Sequence, residues 1–294
     1  MNPLLFNLNS DPVLASQLRA HLDAEEGVIN QRYFPDQETY LRIDSNCQER
    51  PCIVYCNLYQ PNDKIMPLLF LVETLRELGA SKVALVTPYL SYMRQDKRFL
   101  PGECVNARPF ARLLSNYLDF LVTIDPHLHR IHSLDEVYSI PTHIVKAAPL
   151  IADWVGTHIK QPLFLGPDSE SEQWVSEVAQ LIDAPFLVME KNRKGDRDVE
   201  INVPSLKTWK DHTPILVDDI ISSGRTMLTT LMQLRQSGLN RGYCIGVHGI
   251  FADNAYSELQ EEAEVISTST IPHPSNQIDV SAALAVPLAQ WAKD

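Results

Sequence analysis

The sequence reads as an α/β protein in two blocks, each a mostly parallel sheet with helices on both faces. Three observations lead there. The chain has 294 residues, room for roughly two domains at about 150 residues each. Short apolar runs alternate with amphipathic helical stretches along most of its length. Two of those stretches stop at glycines, Gly79 and Gly238, a few residues before the next apolar run. Strand, helix and strand in succession close as a right-handed crossover, which makes the strands parallel.

In chain order, Cys52–Leu58 reads as a buried strand, Lys64–Leu78 as an amphipathic helix and Val83–Thr87 as the next strand. Val105–Tyr117 is helical and Phe120–Ile124 is again a strand. Pro141 and Pro149 mark the join near Val145, after which Pro149–Ile159 opens the second block with a helix. There Ser171–Ile182 and Arg225–Ser237 are helices, and Phe186–Met189, Ile215–Val217 and Gly242–Val247 are strands. The expected domains are 1–145, joined by the C-terminal helix 281–293, and 146–280. No short-period repeat is visible, and whether the blocks are a duplication stays open at this level.

Composition narrows the function. With 25 Lys and Arg against 37 Asp and Glu the net charge is −12, which repels a polyanion and argues against nucleic acid as partner. The longest apolar run, Met66–Val72, is far short of the roughly 18 residues a membrane helix needs. MNPLLFNLNS carries no Lys or Arg, so no signal peptide is expected and the protein is placed in the cytoplasm, off the membrane. Five cysteines without a C-x-x-C pair fit reduced, buried thiols better than disulfides.

The sharpest chemical signal is PILVDDIISSGRTM at Pro214–Met227. An apolar strand ends in Asp218 and Asp219, a loop of small residues follows (Ser222, Ser223, Gly224), then Arg225, and Thr226 opens a helix. Small side chains let successive amides point at one phosphate, and a helix N-terminus adds partial positive charge. Adjacent carboxylates repel unless sugar hydroxyls or metal-bound water occupy them. A β-branched residue at Gly224 is expected to block those amides while leaving the fold intact. An N-capped helix after a strand is the plainer reading of the same residues. Neither a P-loop nor a dinucleotide fingerprint occurs in the chain.

Other segments add charge and possible ligands. Arg94, Lys97 and Arg98 form one basic island, and Lys191, Arg193, Lys194 and Arg197 form a second in a polar stretch read as a mobile loop. Each alone reads as a solvated face; both just after strands, they point to the crevice at the strands' carboxyl ends. Taken alone, Tyr33–Leu41 is an ordinary surface turn. His127, His129 and His132 crowd one segment, yet no Cys pair accompanies them and structural zinc is not expected.

Leu216–Thr226 resembles the phosphoribosyl-diphosphate signature shared by type I phosphoribosyltransferases and ribose-phosphate diphosphokinases (PRPP synthases). Five further segments favour the second family. YFPDQETYL at Tyr33–Leu41 resembles its F-x-D-G-E nucleotide loop, and PYLSYMRQDKR at Pro88–Arg98 its P-Y-x-x-Y-x-R-Q-D-[RK] stretch. TIDPH at Thr123–His127 resembles its D-x-H, GPD at Gly166–Asp168 its S/G-P-D, and EKNRK at Glu190–Lys194 its [DE]-K-x-R loop. All stand in family order.

The resemblance implies two similar phosphoribosyltransferase-type domains and transfer of the diphosphoryl group of ATP to ribose 5-phosphate, giving PRPP and AMP. It implies ATP binding by Phe34, Asp36, Gln37, Glu38, Arg94, Gln95 and Asp96. Ribose 5-phosphate would meet Arg193, Asp218, Asp219, Ser222, Ser223, Gly224, Arg225 and Thr226. Lys191 and Arg193 would be catalytic, Mg²⁺ would meet His127 and Asp168, and the protein would be a homo-oligomer, a dimer or larger. Two alternatives stand beside this: a phosphoribosyltransferase using PRPP as donor, and a catalytically silent partner subunit. The chain departs from the family at Gln37 and Arg225, each replacing a glycine, and at Ser222, replacing an aspartate. Ser169-Glu170-Ser171 stands where two glycines are usual after the Pro-Asp. These changes bear on affinity, metal use and allostery more than on reaction class.

Overall fold

In a computed structural model, residues 2–167, 171–193, 199–202 and 206–294 are described. The chain divides into two units: Met1–Val145 with Val280–Asp294, and Lys146–Asp279.

The first unit runs β1 (Leu4–Asn7), α1 (Pro12–Leu22), β2 (Glu25–Gly27), β3 (Ile29–Tyr33), β4 (Thr39–Ile43), β5 (Pro51–Tyr55), α2 (Asn62–Glu77), β6 (Lys82–Val86), α3 (Ala107–Ser115), β7 (Phe120–Ile124) and β8 (Thr142–Val145). Its sheet has the order β2-β1-β5-β6-β7-β8, parallel throughout. β5 and β7 are buried at every position, which is why they read as unbroken apolar runs rather than alternating ones. β3 and β4 form a separate antiparallel ribbon. The last helix, α8 (Ser281–Lys293), packs on α1, β7 and β8. Its Trp291 ring stacks on Phe120 with centroids 5.9 Å apart, and the Lys82 ammonium lies 4.6 Å from the same indole.

The second unit runs α4 (Ala148–His158), β9 (Pro162–Gly166), α5 (Glu172–Leu181), β10 (Phe186–Val188), β11 (Glu190–Arg193), β12 (Val199–Asn202), β13 (Thr213–Ile221), α6 (Arg225–Gln236), β14 (Tyr243–Gly249), α7 (Ala255–Glu262), β15 (Glu264–Thr268) and β16 (Asn276–Ile278). Its sheet order is β10-β9-β13-β14-β15-β16, again parallel. The antiparallel ribbon is β11 with β12.

Strand for strand the two sheets are the same. β1, β2, β5, β6, β7 and β8 correspond to β9, β10, β13, β14, β15 and β16, and each unit inserts its ribbon before its third sheet strand in chain order. The repeat that sequence left open is therefore present in topology.

Boundaries differ from expectation where burial continues past the ladder. Cys56 and Leu58 are buried, so the run Cys52–Leu58 looks like one strand, but β5 stops at Tyr55. β2, β8, β15 and β16 are three to five residues long, too short to leave a period. Four cysteines are buried as expected, whereas Cys104 is exposed. Among the described residues no helix is long and apolar enough to cross a membrane.

Candidate active site

The carboxylates predicted at a strand end lie inside the strand. β13 continues through Asp218 and Asp219 to Ile221 because β14 still pairs with it there, Asp218 opposite Gly246 and Ile221 opposite Gly249. On its other side the pairing with β9 ends at Leu216. The carboxylates thus sit where β13 overhangs a neighbour, half-buried. Asp218 accepts from the Asp219 amide at 3.0 Å and Asp219 from the Ile220 amide at 2.7 Å.

The loop that follows is pinned from behind. The Ile250 and Phe251 amides donate to the Ile221 carbonyl, and the Ala252 amide donates to that of Ser222, all at 3.0 Å. α6 opens at Arg225 rather than Thr226, with Gly224 as its N-cap at φ +65° and no side chain capping the first turn. The first amides of a helix have no intrahelical acceptor, so this end offers donors to an anion. Ser223, Arg225 and Thr226 are exposed, and Ser222 is half-buried.

Gly224 corrects an expectation. A Cβ there would meet the Ala255 Cβ at 3.2 Å and Leu259 Cδ1 at 3.1 Å, so a side chain points into α7 and not across the loop amides. A β-branched residue at this left-handed φ would strain the fold itself instead of leaving it intact.

Lys191 and Arg193 stand on β11, opposite Ile201 and Val199 of β12. The segment expected as a loop is one strand of a ribbon, because residues 199–202 supply the pairing. Lys191 and Arg193 are two positions apart on this strand. Their side chains, like Asp168, Ser169, Glu170, Lys194 and Arg197, lie outside the described residues. Ser171 is buried at the start of α5, and its Oγ fills the space beside Gly166 that a Cβ would need.

In the first unit, Phe34–Glu38 form the tip of the β3–β4 ribbon. The Phe34 amide donates to the Glu38 carbonyl at 2.8 Å, and the Gln37 amide donates to the Phe34 carbonyl at 2.9 Å. This tight turn needs a left-handed residue, and Gln37 takes φ +72° at the position where the family pattern has glycine. Phe34, Asp36, Gln37 and Glu38 are exposed. The Arg32 guanidinium sits 4.8 Å from the Phe34 ring and 4.2 Å from that of Tyr40, bracing the tip.

Arg94–Asp96 follow β6, and His127 follows β7, so both segments leave the carboxyl ends of adjacent strands. Arg94 is exposed. The Gln95 side-chain Nε2 donates to the Lys97 carbonyl and to Glu103 Oε2, each at 3.2 Å. Glu103 also accepts from the Phe99 amide at 2.7 Å and the Leu100 amide at 3.0 Å. The Leu100 and Phe99 amides hold its carboxyl below the usual carboxylate range. Asp96 is buried and faces inward, onto Arg130. His127 and His129 rings lie 4.0 Å apart in edge contact. Glu103 and Arg130 organise this rim, and sequence reasoning missed both. A lone acid and a lone base without helical or motif spacing leave no signal.

Residues 4–117 match the N-terminal domain of ribose phosphate pyrophosphokinase, and residues 133–284 match a phosphoribosyl transferase domain. The ribose-phosphate pyrophosphokinase of Sulfurisphaera tokodaii is 32% identical over 267 residues, covering 87% of this chain and 90% of that one. That of Methanopyrus kandleri is 29% identical, over 92% of this chain and 94% of its own. The crystal structure of phosphoribosylpyrophosphate synthetase from Mycobacterium smegmatis is similar over 100% of this chain and 98% of that one, with a TM-score of 0.84 and 25% identity. With the motifs in order, the sheet repeated and both halves matched, the chain belongs to the ribose-phosphate pyrophosphokinase family of enzymes.

Proposed function

We propose that this enzyme transfers the diphosphoryl group of ATP to the 1-hydroxyl of ribose 5-phosphate. The ribose O1 attacks the β-phosphorus in line, the bond from that phosphorus to the α,β-bridging oxygen breaks, and AMP leaves as the O1 proton is lost. No covalent enzyme intermediate is needed, so catalysis rests on positioning and on charge neutralisation.

The observation that carries this reading is the uncapped N-terminus of α6 following the half-buried Asp218 and Asp219 on β13. Ser222–Thr226 would receive the 5-phosphate on the first-turn amides, and Asp218 and Asp219 the ribose hydroxyls. Phe34 would stack on the base, with Asp36, Gln37 and Glu38 at its edge. Arg94 would meet the phosphates, with Gln95 and Asp96 in the same segment. Lys191 and Arg193 would close over the transferring group as that charge develops.

An imidazole and a carboxylate are donor types that Mg²⁺ accepts beside phosphates. His127, half-buried, and Asp168 are the ligands the resemblance implies, and Mg²⁺ keeps several waters and binds through one or two protein groups beside substrate phosphates. When bound, the ion would offset phosphate charge. Family membership also supports assembly as a homo-oligomer.

Purified protein with Mg·ATP and ribose 5-phosphate should yield AMP and PRPP in equal amounts. Consumption of PRPP with a nucleobase, and none of ATP, would replace this reading with that of a phosphoribosyltransferase.

A further inference from the structure

We infer that Asp96 and Arg130 are a positioning pair that hangs the Arg94–Gln95 segment on the His127 segment, so that both reach one bound nucleotide. The inference rests on the nucleotide site proposed above.

Asp96 is an ionisable side chain only 4% exposed, and among the described residues its hydrogen bonds come from Arg130. Arg130 Nη1 donates to Asp96 Oδ1 at 3.2 Å and to Oδ2 at 3.3 Å, and the Arg130 amide donates to Oδ2 at 3.2 Å. A buried carboxylate is tolerated only when paired in this way. With both oxygens turned inward, Asp96 acts through Arg130 and not by touching a ligand. The Arg130 Cζ also lies 5.6 Å from the Phe99 ring, so the same guanidinium faces the far end of the loop.

The loop has a separate device for its shape. Glu103 gathers the Phe99 and Leu100 amides and the Gln95 side chain, all from within Gln95–Glu103. None of those bonds reaches the β7 side of the rim. At the base, the Ile124 amide donates to the Pro88 carbonyl at 3.4 Å, six residues before Arg94. Asp96 with Arg130 is thus a tie placed where the two candidate ligand segments come off adjacent strands. Glu103 sets the conformation of the loop, and the pair sets its location. A small displacement of a positioning element is enough to cost binding or rate.

The test compares Arg130→Gln, Asp96→Asn, their combination and Arg130→Lys, by ATP calorimetry, steady-state kinetics and thermal unfolding. Arg130→Gln and Asp96→Asn should each weaken ATP binding by about tenfold, an indirect loss through a half-exposed partner and not that of a direct contact. In Arg130→Gln the KM for ribose 5-phosphate and kcat at saturating ATP should stay within about twofold. Arg130→Lys should recover part of the affinity, and the double variant should bind no worse than either single one, since both remove one interaction. ATP binding lost in Asp96→Asn but kept in Arg130→Gln would overturn the inference, as Asp96 would then touch the nucleotide directly. Additive losses, or a lowered Tm with ATP binding unchanged in both single variants, would overturn it too. Arg94→Ala is the control for the underlying site: intact ATP binding there removes the nucleotide site itself, whatever the pair does.

Discussion

Gly224 is pressed against Leu259: a Cβ on the glycine would stand 3.1 Å from Leu259 Cδ1, and the backbone there is left-handed at φ +65°. The loop before α6 can be this tight because α7 packs where a side chain would go. Gly224→Ala should destabilise the protein by about 1–2 kcal/mol from the left-handed backbone, and Gly224→Val by more. Thermal unfolding without ligand reads this directly, and wild-type stability in Gly224→Val would show that α7 yields.

Thr226 and Arg225 separate the ways the loop can hold a phosphate. Both are exposed in the first turn of α6. Thr226→Ala should weaken ribose 5-phosphate by about 1.5–3 kcal/mol if its hydroxyl meets a charged oxygen. Arg225→Gly should leave that affinity unchanged, because the first-turn amides already satisfy a phosphate. Calorimetry with ribose 5-phosphate decides both, and weaker binding in Arg225→Gly would make Arg225 a ligand.

Lys191 should act late. Lys191→Ala is expected to lower kcat by at least about 10²-fold with little change in ATP affinity, as for a cation that meets charge developing only in the transition state. Near wild-type turnover would remove it from the mechanism.

Gln37 carries strain that the family's glycine would not. At φ +72° it holds the ribbon tip in a region L side chains avoid. Gln37→Gly should raise stability by roughly 0.5–1 kcal/mol, the relief being partly offset by the freer unfolded chain. A lower Tm would show that the Gln37 side chain contributes more than its backbone costs.

The thiols should fall into two classes. Burial pushes Cys52 and Cys56 up to about 12 and raises Cys47 and Cys244 as well, whereas Cys104 is exposed. At pH 8 a thiol of that kind is ionised in only about one molecule in 10⁴. Alkylation of native protein at pH 8 should therefore label Cys104 alone, the other four reacting on unfolding or as pH approaches their raised range. Peptide mapping checks it.

Much of this protein is legible from residue order. Buried parallel strands such as Phe120–Ile124 appear as unbroken apolar runs, and helix ends such as Gly79 and Gly238 are marked by a residue that tolerates positive φ. The reaction class is legible too, because short motifs carry the chemistry wherever the chain takes them. Tertiary structure alone decided the rest. Asp218 and Asp219 lie within β13 and not after it because β14 keeps pairing beyond the point where β9 stops. The Glu190–Arg193 segment is a strand because residues 199–202 pair with it. The inward turn of Asp96 depends on Arg130, 34 residues on. In each case the determinant is a partner outside the segment itself, and hydrophobic period and local propensity register only what lies within it.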